Sequence, residues 1–105
     1  MGRMFEKLDG EAEILPGIRV FPTPGHSPGH QSVCVDTEGG VHVIAGDAVF
    51  SYDNLDPAGE HPPFTIMGRF MDIVAAWRSM EDIVSRADVL LPEHDMRTLD
   101  TAVYI

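Results

Sequence analysis

Thr23-Pro24-Gly25-His26-Ser27-Pro28-Gly29-His30 stands between two apolar, β-branched runs, Ile18-Arg19-Val20-Phe21 and Gln31-Ser32-Val33-Cys34-Val35. Two Pro-Gly breaks in so short a stretch predict a tight loop at a strand end. The prolines remove backbone donors and fix φ, so the loop is stiff. A stiff strand-end loop with a histidine at its apex can hold an imidazole in place, as a metal ligand or an acid/base group requires. A Pro/Gly turn that merely carries two histidines would look the same, so the rest of the chain has to decide.

Working outward, residues 31–36 alternate as a strand, Thr37-Glu38-Gly39-Gly40 makes a hairpin turn, and Val41-His42-Val43-Ile44-Ala45 returns, ending at Gly46-Asp47. Upstream, Ala12-Glu13-Ile14-Leu15 is a short strand stopped by Pro16-Gly17, and residues 18–22 form another. Residues 1–9 read as a tail. Residues 50–67 carry Pro57, Pro62, Pro63 and Gly59 and predict a long irregular loop, a kind that tends to be functional or mobile. A helix is expected near residues 69–86, with Ile73, Val74, Trp77, Met80, Ile83, Val84 and Ala87 on its buried face and an Asp82–Arg86 pair on its wet side. Val89-Leu90-Leu91 reads as a short buried strand ended by Pro92, followed by Glu93-His94-Asp95. The last ten residues, and 99–105 above all, read as a tail. The order β, β, β, β, loop, α, β predicts an α+β (α/β layered) domain, with a mixed or antiparallel sheet and one long helix.

At 105 residues the chain is one domain or part of one. Its formal charge of −10 argues against nucleic acid and against anionic membrane surfaces as partners. No apolar run approaches the ~20 residues of a membrane span, and no basic-then-apolar signal opens the chain. The single Cys34 excludes an intrachain disulfide framework and fits a reducing cytoplasm. In mid-strand, Cys34 is expected to be a small buried hydrophobe.

Three predicted strands end in a residue that can bind a borderline cation: one leads to His26, one to Asp47, one to His94. If those ends lie side by side, two imidazoles and a carboxylate converge, a set that suits Zn²⁺, Mn²⁺ or Fe. Gly46 lets the backbone approach closely and turn sharply before Asp47. Each residue alone has an ordinary structural reading, and the combination is what points to a metal. His42 in mid-strand and His61 in the Pro-rich loop are not expected to be ligands.

Thr-Pro-Gly-His-Ser-Pro-Gly-His at 23–30, Ala-Gly-Asp-Ala at 45–48 and Leu-Pro-Glu-His-Asp at 91–95, in this order and spacing, resemble the metallo-β-lactamase superfamily, and within it the N-acyl homoserine lactonases. Ala76-Trp77-Arg78-Ser79-Met80, and Leu8-Asp9-Gly10 followed by Pro16-Gly17-Ile18, extend the likeness to about residues 5–99. The resemblance implies an αββα sandwich with a two-metal site, most often zinc. By position His26 would bind one metal, His94 the other, and Asp47 would bridge them and relay the proton to the leaving group. His30 would support the ligands without being one. A metal-activated hydroxide would attack a lactone, ester or thioester carbonyl.

The family's first half supplies a His-x-His-x-Asp-His motif with the larger part of the ligand set, and no such motif occurs in these 105 residues. The sequence therefore corresponds to the second half of the domain, and alone it is expected to hold one ion weakly or none. Half a sandwich exposes the face that the other half covers, so a homo-oligomer or a missing N-terminal half is the expected partner. Phe50 stands where the lactonases often place a tyrosine that polarises the lactone carbonyl, and Tyr52 could replace it only if the loop bends. Phe50, Tyr52, Phe64 and Met67, with Ile66, are the expected substrate pocket, whereas Phe70 is expected in the core. A glyoxalase-II-like thioesterase is the alternative within the family, and a non-catalytic oligomerisation or binding module the alternative outside enzymes.

Overall fold

The computed structural model describes residues 10–55 and 70–100. Alternating apolar runs separated by turns give β1 (Ala12–Leu15), β2 (Ile18–Pro22), β3 (Gln31–Thr37) and β4 (Gly40–Gly46), each antiparallel to the next. After helix α1 (Ile73–Arg86), strand β5 (Val89–Pro92) runs parallel to β4, with His42 opposite Val89 and Gly46 opposite Pro92. The result is one mixed sheet in the order β1-β2-β3-β4-β5 with one helix, part of an α+β fold. Because β2, β4 and β5 point the same way, their C-terminal ends open on one edge, and that edge leads into His26, Asp47 and His94.

One sheet face packs against α1. Phe21, Cys34, Val43 and Ala45 are fully buried there with Met80 and Ile83 of the helix, and Ala48 and Val49 extend this core beyond β4. Cys34 is the buried small hydrophobe that its mid-strand position suggests. Each large apolar side chain removed from water in this way contributes roughly 1.5–3 kcal/mol.

The helix differs from its sequence reading in two respects. It starts at Ile73, because Asp72 is extended (φ −143°) and its carboxylate accepts the Ala75 N–H at 3.0 Å. Residues 70–72, expected to be helical, lead into it instead, so Phe70 leaves the core and is 43% exposed. The buried stripe is Ala76, Ser79, Met80 and Ile83, while Ile73, Val74 and Val84 stay about half exposed. Loop 23–30 is the reason. The Gly25 carbonyl accepts the N–H groups of Met71 (2.6 Å) and Asp72 (3.0 Å), and Ser79 Oγ donates to the Pro24 carbonyl at 2.6 Å. Backbone meets the helix there, and only small side chains fit between them. At the other end Arg86 pairs with Asp82 (2.7 Å) as expected, and also with Glu11 (2.8 Å) and the face of Phe21 (4.0 Å).

β5 is half-buried except at Pro92 and includes that proline, which an edge strand tolerates. Met96–Asp100, read as the start of a tail, forms a 3-10 turn. The sheet face away from α1 carries the cross-strand row Val20, Val33, Ile44 and Leu91. Ile44 is 44% and Leu15 59% exposed, and a hollow of about 170 Å³ opens between Val35, Thr37, His42, Ile44 and Leu91. His42 is buried, with Nδ1 3.1 Å from Thr37 Oγ1, a strand histidine as expected.

Candidate metal centre

The loop of residues 23–30 closes on itself. Thr23 N–H donates to the His30 carbonyl at 2.9 Å, and Gly25 N–H to the Ser27 carbonyl at 3.2 Å. Inside the closure a chain of polar contacts runs from strand to site. Ser32 Oγ donates to the Ala45 carbonyl (3.1 Å); Thr23 Oγ1 lies 2.8 Å from Ser32 Oγ and 2.8 Å from His30 Nδ1; His30 Nε2 accepts the Asp47 N–H at 2.9 Å. The proton count runs one way. Ser32 spends its proton on Ala45, so Thr23 donates to Ser32, so His30 Nδ1–H donates to Thr23, and Nε2 is left bare for Asp47. His30 is thus a neutral imidazole that fixes the backbone of Asp47. Gly46 makes this possible. A Cβ there would lie 2.7 Å from His30 Nε2, and its φ of +56° is left-handed.

Burial pushes the His30 pKa below its usual 6.5, because a proton on Nε2 would be both desolvated and set against the Asp47 N–H. The unfolded chain takes up that proton below 6.5 and the folded chain resists it, so this contribution to stability is present above 6.5 and is lost as pH falls. Urea midpoints are expected to drop between about pH 7 and pH 5, and His30→Gln to flatten that drop. An unchanged slope in His30→Gln would contradict this account.

Asp47 follows directly. Its Oδ2 lies 3.4 Å from His26 Nε2 and its Oδ1 3.2 Å from His94 Nε2, so one carboxylate stands between two imidazoles. His94 reaches it because Glu93 N–H donates to the Val49 carbonyl (3.3 Å) and His94 N–H to the Phe50 carbonyl (2.8 Å), extending the β4–β5 pairing past the strand ends. The structure therefore brings together all three residues singled out as ligands. Glu93, which the sequence reading passed over, is there too, with Oε2 3.5 Å from His94 Nε2. Hydrogen bonding to Glu93, then to His94, holds the Asp47 carboxyl below the usual range, and the same bond from Asp47 pushes that of Glu93 up.

These spacings suit a cation. Ligands about 2.0–2.2 Å from a tetrahedral zinc lie about 3.4 Å from one another; the contacts of His94 with Asp47 Oδ1 and Glu93 Oε2, at 3.2 and 3.5 Å, and of His26 with Asp47 Oδ2, at 3.4 Å, are ion-pair distances that a shared cation would also accommodate. Nitrogen and carboxylate donors are also the types that zinc and manganese take.

Phe50 lies beside the site, its ring 4.6 Å from the His94 ring and 5.9 Å from that of His26. The Tyr52 hydroxyl donates to the Leu90 carbonyl at 2.8 Å. Phe64, Ile66, Met67 and His61 lie outside the described residues. Asp95 was missed as an organiser. Its buried carboxylate accepts from Ser51 Oγ (3.0 Å), Tyr52 N–H (2.9 Å) and Arg97 N–H (2.9 Å), tying the turn after His94 to loop 51–52. Arg97 two residues on was its one signal in the sequence.

The family model described as the metallo-beta-lactamase superfamily matches residues 4–99. An N-acyl homoserine lactonase of Bacillus cereus is 28% identical over 93 residues, covering 88% of this chain. Metallo-beta-lactamase domain-containing protein 1 of Mus musculus is 37% identical over 81 residues, covering 74% of this chain and 28% of its own length. Among solved structures, an N-acyl homoserine lactone hydrolase with the product N-hexanoyl-L-homoserine bound at its catalytic metal center is similar with a TM-score of 0.70 and 25% identity, over 93% of this chain and 38% of that one. The chain spans 36% of the length of the Bacillus cereus lactonase. With the family match running through almost all of these residues, and with the fold in agreement, the chain belongs to the metallo-beta-lactamase superfamily.

Proposed function

We propose that this chain supplies His26, Asp47 and His94 to the metal centre of a hydrolase that opens a lactone or ester. The observation that supports it best is the Asp47 carboxylate, with one oxygen turned to each histidine. A bound divalent metal, zinc by preference, would supply the Lewis acidity that activates water and polarises a carbonyl. The chain's own residues do the rest. His30 and the Thr23–Ser32 contacts hold the Asp47 backbone, so its carboxylate stays between the imidazoles, where it can take up and pass on a proton. Phe50 offers an apolar wall beside the histidines for an acyl group. N-acyl homoserine lactonases among the relatives make lactones the first substrates to try. Phe50 carries no hydroxyl and the Tyr52 hydroxyl donates to Leu90, so aryl esters and thioesters, whose better leaving groups need less help at the carbonyl, stay in the panel. A reducing, cytoplasmic setting suits the single buried Cys34.

The test is metal content, together with turnover of a lactone, aryl-ester and thioester panel with Zn²⁺ or Mn²⁺. The assay is run on this chain alone and joined to any preceding His-x-His-x-Asp-His segment of its reading frame. Turnover by the joined form, lost on chelation, is expected. Failure of both forms to bind metal would favour a binding module.

On its own, the 105-residue chain is expected to self-associate through the row Val20, Val33, Ile44 and Leu91, with exposed Ile44 and Leu15 at its centre and rim. Light scattering after size exclusion would report a dimer or larger species. A clean monomer would rule this out.

A further inference from the structure

His94 Nε2 lies 3.2 Å from Asp47 Oδ1 and 3.5 Å from Glu93 Oε2, and one donor atom from each of the three residues lies within 4.8 Å of the others. Glu93 is not among the residues that the resemblance offers as ligands. We propose that Glu93 is a metal donor in this chain and completes, with Asp47 and His94, a site for one divalent cation. The proposal rests on the metal-hydrolase reading above and adds a ligand to it.

Geometry supplies the first argument. Both separations from His94 match the edge of a tetrahedron built on bonds of about 2.1 Å. The backbone supplies the second. The turn that carries Glu93 and His94 is pinned to Val49 and Phe50 by two N–H···O bonds, so both side chains are presented beside Asp47 by a fixed frame. Charge supplies the third: Asp47 and Glu93 are hydrogen-bonded to each other, and a cation can take the place of the proton between them. His26 lies on the other oxygen of Asp47, outside this donor group. Glu93 and His94 are each about half exposed, which leaves room for water to fill the remaining position. Two oxygens and one nitrogen suit Zn²⁺ or Mn²⁺.

The test is calorimetric titration of the 105-residue chain with Zn²⁺, and with Mn²⁺ followed by its paramagnetic resonance signal, in wild type, Glu93→Gln and Asp47→Asn. Circular dichroism confirms the fold of each. Wild type is expected to bind one ion and Glu93→Gln to bind it at least about tenfold more weakly. The difference should persist at about 1 M salt, where a Debye length of about 3 Å removes a purely through-space charge effect. Equal affinity of Glu93→Gln and wild type, or a difference that vanishes in high salt, would overturn the assignment of Glu93 and leave Asp47 and His94 standing as ligands. No binding by wild type, or binding that Asp47→Asn does not weaken, would overturn the metal-site reading and this proposal with it.

Discussion

Gly25→Ala is expected to destabilise the chain by about 3 kcal/mol or more, enough to unfold a domain of this size in mild urea. A Cβ on Gly25 would lie 2.4 Å from Ala76 Cα and 2.5 Å from Ala76 N, so it meets helix backbone, which cannot rotate away. The φ of +140° adds strain for any residue with a side chain. Relief requires the loop to lift off α1, and that breaks the two bonds from Met71 and Asp72 N–H to the Gly25 carbonyl. Gly29, in the same loop, is an internal control. A Cβ there has nothing within 4 Å, so Gly29→Ala should stay within about 0.5 kcal/mol of wild type. Urea midpoints followed by circular dichroism compare the two. Equal midpoints would show that the loop is not seated on the helix as described.

Asp47→Ala is expected to reduce divalent-metal affinity more than any other single change, by over ~100-fold, beyond what loss of a supporting residue produces. Its carboxylate faces both histidines, so its removal disconnects His26 from His94, whereas His26→Ala or His94→Ala leaves one pair intact. The fold should survive, because the bond to His30 uses the Asp47 backbone N–H and not the carboxylate. Calorimetric titration gives the affinity and a thermal melt without metal gives the fold. Unchanged affinity, or an affinity lost only because the melt collapses, would refute the role given to this residue.

The sheet was legible because its first four strands are alternating runs separated by Gly-containing turns, and alternation has one structural meaning. The partner of β5 was not legible. Val89-Leu90-Leu91 is a short apolar run without alternation, and it fits a parallel or an antiparallel neighbour equally well. Its direction is set by the return path through α1, which no local pattern encodes. The buried face of α1 was misjudged for a related reason. Apolar periodicity marks Ile73, Val74 and Val84 as readily as Met80 and Ile83, but the loop backbone at Gly25 and Pro24 claims the side of the helix where Ala76 and Ser79 lie. A small residue at such a contact is informative only once its neighbour is known.

At the site, the meeting of His26, Asp47 and His94 was legible because each follows a strand end, and Gly46 was legible as the residue that lets the backbone come close. Glu93 and Asp95 were not, although both lie in the quoted Leu-Pro-Glu-His-Asp. A carboxylate in a turn is ordinarily solvated, and only the three-dimensional neighbours Asp47, Ser51 and Tyr52 distinguish these two from that background.

The parallel pairing of β5 also sets an order in time. β1 to β4 form a meander of adjacent antiparallel strands, whereas Asp47 and His94 are 47 residues apart and meet only after α1 and β5 have docked. Such long-range pairing is the slow part of folding, because the loop must close before any contact rewards it. His26 and Asp47 are therefore expected to come together early and His94 last. In the native state, amides of β5 should exchange with solvent faster than those of β3, and a cation held between Asp47 and His94 should slow that exchange by clasping the last strand to the first four.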